Sequence, residues 1–412
     1  MVVSVNLVSA LAAVRRWLPA PASRAMDAVV RVGARLAPER LRVALGPAHL
    51  RFSPRDVPPD PDVPQAPTRL YIGPANFAGQ GFAWARAAER LPGVGAVSMA
   101  IVRREGFAFP VDDPVPEAVY AGSRRWQARR RALLPQFSHV IIEAGRPLLG
   151  HLMGADPFAE ARWLRARGVE VAMLCHGSDI RLPSRHRELE PWSPFEPGWE
   201  LTEALEAQVA RFAAGLEGFA GPVLVSTPDL LLDVPRATWL PVVVDAERWR
   251  AAGSRPPLER EVPVVVHAPS SAHLKGTALI EPVLERLDAR GVIEYRRIAG
   301  VPPARMAEVY GEADVVLDQF RIGNYGVAAC EAMAAGRLVV SHVSDSVRTR
   351  AEDAAGAALP ILEATPDSLE DVLVAVLGDR PRARALAEQG PGFVRALHDG
   401  ERAAEVLGHL LA

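Results

Sequence analysis

Apolar and polar residues alternate along this chain in two regimes. From Thr68 onward, short apolar runs alternate with longer segments of helical period, the pattern of parallel sheets covered by helices on both faces. The runs predict strands near 69–72, 96–102, 138–142, 169–175, 222–226 and 238–243, with helices between several of them. A break rich in Arg and Pro covers 246–262. A second series follows, with strands near 263–267, 293–299, 314–318, 337–341 and 359–362 and helices near 276–290, 303–312, 326–335 and 366–378. A helical segment over 383–412 is expected to cross back to the first half. The simplest assembly is α/β: two doubly wound, Rossmann-like domains, 68–245 and 263–382, facing across a cleft, with ligands beyond the carboxyl ends of the strands.

Before Thr68 the pattern differs. Residues 4–18 carry Val5, Leu7, Val8, Leu11, Val14 and Leu18 at helical spacing; residues 24–37 carry Met26, Val29, Val30 and Leu36 less regularly, with Gly33 interrupting the stripe. These predict an amphipathic helical extension over 1–53, followed by a stiff proline-rich linker over 54–67. Eight arginines oppose Asp27 and Glu39 in residues 1–51, a formal +6 in a chain of net −2. Such a helix, with Trp17 beside its charges, fits an anionic membrane surface; packing on the main fold is the alternative. The run from Val2 to Val14 is shorter than the roughly 20 residues that span a bilayer and lacks the preceding positive charges of a secretory signal.

Composition narrows the classes. At 412 residues, 49% hydrophobic and 23% charged, the chain is neither disordered nor a nucleic-acid binder by bulk charge. Two cysteines, Cys175 and Cys330, build no disulfide framework or closed zinc site, so the expected location is cytoplasmic, with peripheral attachment to the inner face of the plasma membrane through the extension. Of 47 basic residues only Lys275 is lysine. Arginine fills every other cationic position, so a lysine here suggests a task for a compact ammonium rather than a planar fork.

Four loops at strand ends carry candidate chemistry. Gly73-Pro-Ala-Asn76-Phe-Ala-Gly79-Gln80-Gly81 enters a helix N-terminus that favours an anion or polar oxygen; a ligand-free tight turn is the alternative. Cys175-His176-Gly177-Ser178-Asp179-Ile180-Arg181 puts a histidine and both signs of charge at the cleft rim, where His176 is an acid/base candidate or a satisfied structural residue. Between His267 and Thr277, Ser270, His273, Lys275 and Gly276 lead into a helix, and an ammonium there suits a diphosphate. The stretch from Asp318 to Gly336 holds Arg321, the glycine-bracketed turn Gly323-Asn324-Tyr325-Gly326, and Glu331 about one turn into the helix. A helical side chain leans toward the N-terminus, so Glu331 aims back at the loop, where sugar hydroxyls or a structural salt bridge would partner it.

In this order these loops resemble the retaining GT-B glycosyltransferases of the family 4-like group that includes sucrose synthase-like and bacterial mannosyltransferase-like enzymes. The matching stretches are Gly73–Gly81, His176-Gly177, Val225 to Asp229 with Leu240 to Asp245, Lys275-Gly276-Thr277 and Gly326 to Gly336. The resemblance implies a nucleotide-diphospho-sugar donor on the second domain and a hydroxyl acceptor on the first: a glycan, a lipid-linked sugar or a cell-envelope precursor. It implies retention of anomeric configuration and no metal or other cofactor. Lys275 would contact the diphosphate, Glu331 the ribose, and Asn324, Tyr325 and Gly326 the sugar or phosphate. His176 would sit near the transferred sugar and Gly79 near the phosphates, with Asn76, Gln80, Asp179 and Arg181 on the acceptor side.

Two positions depart from that pattern. An acid is expected where this chain has Gly323, to be replaced by Asp318 or Asn324; an arginine is expected at Ser270, to be replaced by His273 or Arg321. Two further functions fit the same architecture: a sugar-nucleotide epimerase, and a catalytically degenerate nucleotide- or sugar-binding protein.

Overall fold

The computed structural model describes residues 47–103, 106–199, 201–253 and 255–412, with residue 43 besides. Both predicted amphipathic stretches, 4–18 and 24–37, lie outside the described residues.

Two parallel sheets form the frame. The first has seven strands in the order β3-β2-β1-β4-β5-β6-β7: β1 Thr68–Gly73, β2 Val94–Val102, β3 Asp113–Pro116, β4 His139–Glu143, β5 Glu170–Cys175, β6 Val223–Val225 and β7 Thr238–Trp239. The second has five in the order β12-β11-β10-β8-β9: β8 Val264–His267, β9 Glu294–Arg297, β10 Val315–Leu317, β11 Leu338–Ser341 and β12 Ile361–Glu363. Residues along a strand alternate between two buried faces. Leu70 and Ile72 join an apolar cluster that runs through both domains, while Tyr71 between them joins one confined to the first. Val264 and Val266 in β8 likewise face the shared cluster, and Val265 the opposite side of the second sheet.

Several elements differ from the sequence expectation. Strand β3 escapes a search for apolar runs because it reads Asp-Pro-Val-Pro; proline is tolerated at this sheet edge, and buried Asp113 anchors it by ion pairing with Arg130 and accepting from the Tyr71 hydroxyl at 2.6 Å. The helix Asp345–Ala355 buries only Val347 and Ala351, too few apolar positions to show a stripe. The run 238–243 pairs only at Thr238–Trp239; beyond it Val243 bonds to the side chain of Gln80. The proline-rich stretch is laid along the first domain rather than spanning free, with Arg129 donating to the Pro58 carbonyl and Val57 and Val63 packed against the core.

The C-terminal segment is three helices: Arg380–Ala387, Gly390–Leu397 and Glu401–Leu411. The last packs on the helix Gln80–Ala88 of the first domain, and Arg90 donates to the Asp399 carbonyl at 2.8 Å. Among the described residues no helix is long and apolar enough to cross a membrane.

Candidate active site

In the second domain the site starts at the end of β8. His267 is fully buried, with Nδ1 3.0 Å from the Leu317 carbonyl and Nε2 2.9 Å from the Thr277 hydroxyl; burial depresses its pKa to about 4, so it is a neutral peg for the helix Thr277–Ala289. Ser271 caps the short turn Ala272–Lys275 and Gly276, at φ 79°, ends it. The turn delivers Lys275 to Asp318, whose carboxylate binds the ammonium through Oδ1 and accepts the Gly326 backbone N–H at 2.9 Å through Oδ2.

Gly326 is the N-cap of the helix Val327–Ala334. Val327 and Ala328 have no acceptor for their N–H groups among the described residues, and they, with Gly326, Lys275 and Glu331, are the partly open positions of an otherwise buried constellation. The Glu331 carboxylate receives no hydrogen bond among the described residues. Burial, reinforced by Asp318 and opposed by Arg248 and Lys275, pushes its pKa up to about 8.

In the first domain, His176 follows β5 and Glu143 ends β4. The Glu143 side chain is fully buried; Oε2 accepts from the N–H groups of Ala75 and Asn76 at 3.1 and 3.2 Å, and Oε1 lies 3.2 Å from His176 Nε2. One carboxylate therefore sets both the Gly73–Gly81 loop and the histidine. Trp84 stacks on the imidazole at 5.7 Å and Phe77 meets it edge-on at 5.3 Å. Glu143 went unnoticed in the sequence, although a lone acid closing an apolar strand at its carboxyl end is a usable signal.

The expected acceptor-side residues build the loops. Asn76 accepts from Phe82 N–H and donates to the Pro110 carbonyl; Gln80 exchanges two hydrogen bonds with the Val243 backbone; Asp179 accepts from the N–H groups of His176 and Gly177. These hydrogen bonds all lie within the first domain and hold the Gly73–Gly81 and His176–Arg181 loops in shape. Arg181 pairs with Asp229, and both line the space between the domains. Gly79, at φ 76°, caps the helix Gln80–Ala88 and lies against the Phe109 ring.

The donor-side substitutes are also committed elsewhere. Residues 190–196 of the first domain reach into the second, where Arg321 donates to the carbonyls of Trp192 and Ser193 at 2.7 and 2.6 Å and pairs with Glu196. His273 places Nε2 2.8 Å from the Pro194 carbonyl and its ring on Trp199. Neither supplies a free cation in place of the arginine absent at Ser270, which is exposed. Asn324 donates to Asp229 at 3.0 Å and accepts from Gln319, and the Tyr325 hydroxyl meets His398 at 3.1 Å in the core. Asp318 is held by Lys275 and Gly326, so neither Asp318 nor Asn324 takes the place of an acid at 323. The space beside position 323 is filled by another residue: a Cβ at Gly323 would overlap the carboxylate of Glu190.

Among the described residues no cluster of three or more His, Cys, Asp and Glu side chains suits a metal ion. No protein-family model matches the chain, and no curated protein sequence is similar to it. Solved structures do match. Sucrose-phosphate synthase from Thermosynechococcus elongatus aligns over 83% of this chain and 97% of its own, at 15% identity and a TM-score of 0.55. Anabaena HepE in complex with UDP covers 83% and 98%, at 10% identity and a TM-score of 0.54. An alpha-glucosyltransferase solved with UDP-glucose and DNA containing an abasic site covers 83% and 98%, at 9% identity and a TM-score of 0.50. The fold is GT-B. In that frame Lys275 and the start of the helix Val327–Ala334 stand at the carboxyl ends of the second sheet, and His176 at those of the first.

Proposed function

We propose that this protein is a glycosyltransferase that moves a sugar from a nucleotide-diphospho-sugar to a hydroxyl acceptor. One observation carries the reading. Lys275, the partnerless N–H groups of Val327 and Ala328, and the unbonded carboxyl of Glu331 converge on one partly open spot at a helix start. A leaving diphosphate accumulates charge as the glycosidic bond breaks, and fixed donors with an ammonium stabilise that charge more than they stabilise the ground state. Glu331 in its neutral form both donates and accepts, which matches a vicinal diol such as a ribose.

The finer features rest on the resemblance of the motifs. Transfer proceeds with retention and without a metal, the charge of the diphosphate being met by Lys275 and the helix terminus. The acceptor is a glycan, lipid-linked or envelope precursor, and the enzyme works in the cytoplasm, with the +6 of residues 1–51 supporting attachment to an anionic membrane.

Thermal-shift titration with UDP, GDP and ADP, with and without a chelator, tests the reading: one diphosphate stabilises the protein in either condition, and transfer from the matching sugar nucleotide gives a product of retained anomeric configuration by NMR. Absence of stabilisation by all three overturns it. Sedimentation with phosphatidylserine vesicles tests the attachment, which should vanish when residues 1–51 are deleted.

A further inference from the structure

A cavity of about 140 Å³ lies between the domains, bounded by Arg181, Glu190 and Asp229 on one side and Ile322 and Ser344 on the other. Glu190 is the C-cap of the helix Pro183–Leu189, and its side chain crosses to the second domain. There Oε2 accepts from His342 Nε2 at 2.9 Å, and His342 Nδ1 lies 2.7 Å from Glu363 Oε1. An imidazole whose two nitrogens both face carboxylates is an imidazolium, so the Glu190 side chain is fixed in direction by a charge-assisted hydrogen bond. Burial works against that charge, yet the two carboxylates push the His342 pKa up to about 9.

The second oxygen of Glu190 is unspent. Oε1 has no hydrogen-bond donor among the described residues, although Glu190 is only 9% exposed. It stands over Gly323, at φ 71°, in the space any side chain there would occupy. A carboxylate oxygen that opens on a cavity and has no protein donor is free to accept from a ligand there. A sugar hydroxyl is such a donor. Gly323 precedes Gly326 by three residues, at most about 11 Å of chain, so a ring carried by a diphosphate at Lys275 and Gly326 reaches Glu190, as does a second ring bound beside it.

We infer that Glu190 binds a hydroxyl of a pyranose ring seated between the domains through Oε1, and that position 323 is bare so that this carboxylate can stand there. The inference rests on the nucleotide-sugar reading and names the first-domain group that recognises the sugar. His342 is a positioning residue for it.

Isothermal titration of wild type, Glu190→Gln and Glu190→Asp tests this in three arms: UDP, GDP and ADP alone; their glucose and mannose conjugates; and the binding diphosphate together with free glucose or mannose. Diphosphate affinity should stay within twofold in both variants. If the ring belongs to the donor, conjugate affinity falls at least tenfold, toward that of the bare diphosphate; if it belongs to the acceptor, saccharide binding to the diphosphate complex is lost instead. His342→Gln should give a smaller loss in the same arm. Variants that bind conjugate and saccharide as the wild type does overturn the inference. A wild type that binds none of the diphosphates overturns the nucleotide-sugar reading itself, before any variant is compared.

Discussion

Lys275 stands across from Gly326, its ammonium 3.7 Å from the point where a side chain at 326 would begin. The pair brackets the place where a phosphate would meet both a point charge and the open end of a helix. Replacing Lys275 with Ala removes the ammonium and leaves Asp318 buried beside the site. Affinity for the preferred nucleoside diphosphate should fall roughly 10- to 150-fold, the range expected for a charge-assisted hydrogen bond of about 1.5–3 kcal/mol. Calorimetric titration reads this, and Lys275→Arg should recover only part of the loss because a planar fork does not fit a point-charge site.

Gly323 and Glu190 make a second pair. Gly323→Ala should cost about 1–3 kcal/mol, from its positive φ and from overlap with the Glu190 carboxylate. Only the overlap is relieved by Glu190→Ala. A double-mutant cycle by urea denaturation should therefore show the two substitutions together costing less than their sum by more than about 0.5 kcal/mol; strict additivity would mean the carboxylate does not press on position 323.

Glu331 predicts a pH dependence. Its folded pKa of about 8 lies above the ordinary 4.5, so between these values the folded state holds a proton that the unfolded state has lost. Stability contributed at this position falls as pH rises through that window and levels off above 8. Glu331→Gln lacks the titration, so wild type minus variant melting temperature should decrease steadily from pH 5 to pH 8. His342, raised from 6.5 to about 9, loses its contribution between those two values, which overlaps this window, but it is common to both proteins and cancels.

Arg321 tests how its guanidinium is spent. With its donors on Trp192, Ser193 and Glu196, Arg321→Ala should cost about 2–4 kcal/mol of stability and leave nucleotide affinity within about twofold in the same titration. A large loss of diphosphate affinity would return Arg321 to the phosphate site.

The layered fold could be read from the chain because buried parallel strands carry dense apolar runs, as Val264–His267 and Leu338–Ser341 do. Strand β3 and the helix Asp345–Ala355 were hidden because an edge strand of alternating proline and a mostly polar helix bury too little to leave a period. Site residues divide the same way. Lys275, Gly326 and Glu331 stood out because one short stretch, or a compositional exception, marks each. Glu190, His342 and Glu143 act across 152 or 33 positions of sequence, through contacts that exist only once the strands are ordered. The polar residues Gln80, Asn76 and Arg321 looked available because a sequence shows a donor without showing what has already claimed it.

The docking of the helix Glu401–Leu411 on Gln80–Ala88 has a consequence for how the chain is made. The first domain is synthesised early, yet the surface of Gln80–Ala88 that meets this helix waits for a partner roughly 320 residues downstream. At about 5–20 residues per second that is roughly 15–65 s on the ribosome. The strands of the first sheet are complete at Trp239, so for roughly half of that interval a finished sheet carries the helix Gln80–Ala88 with its apolar face still uncovered.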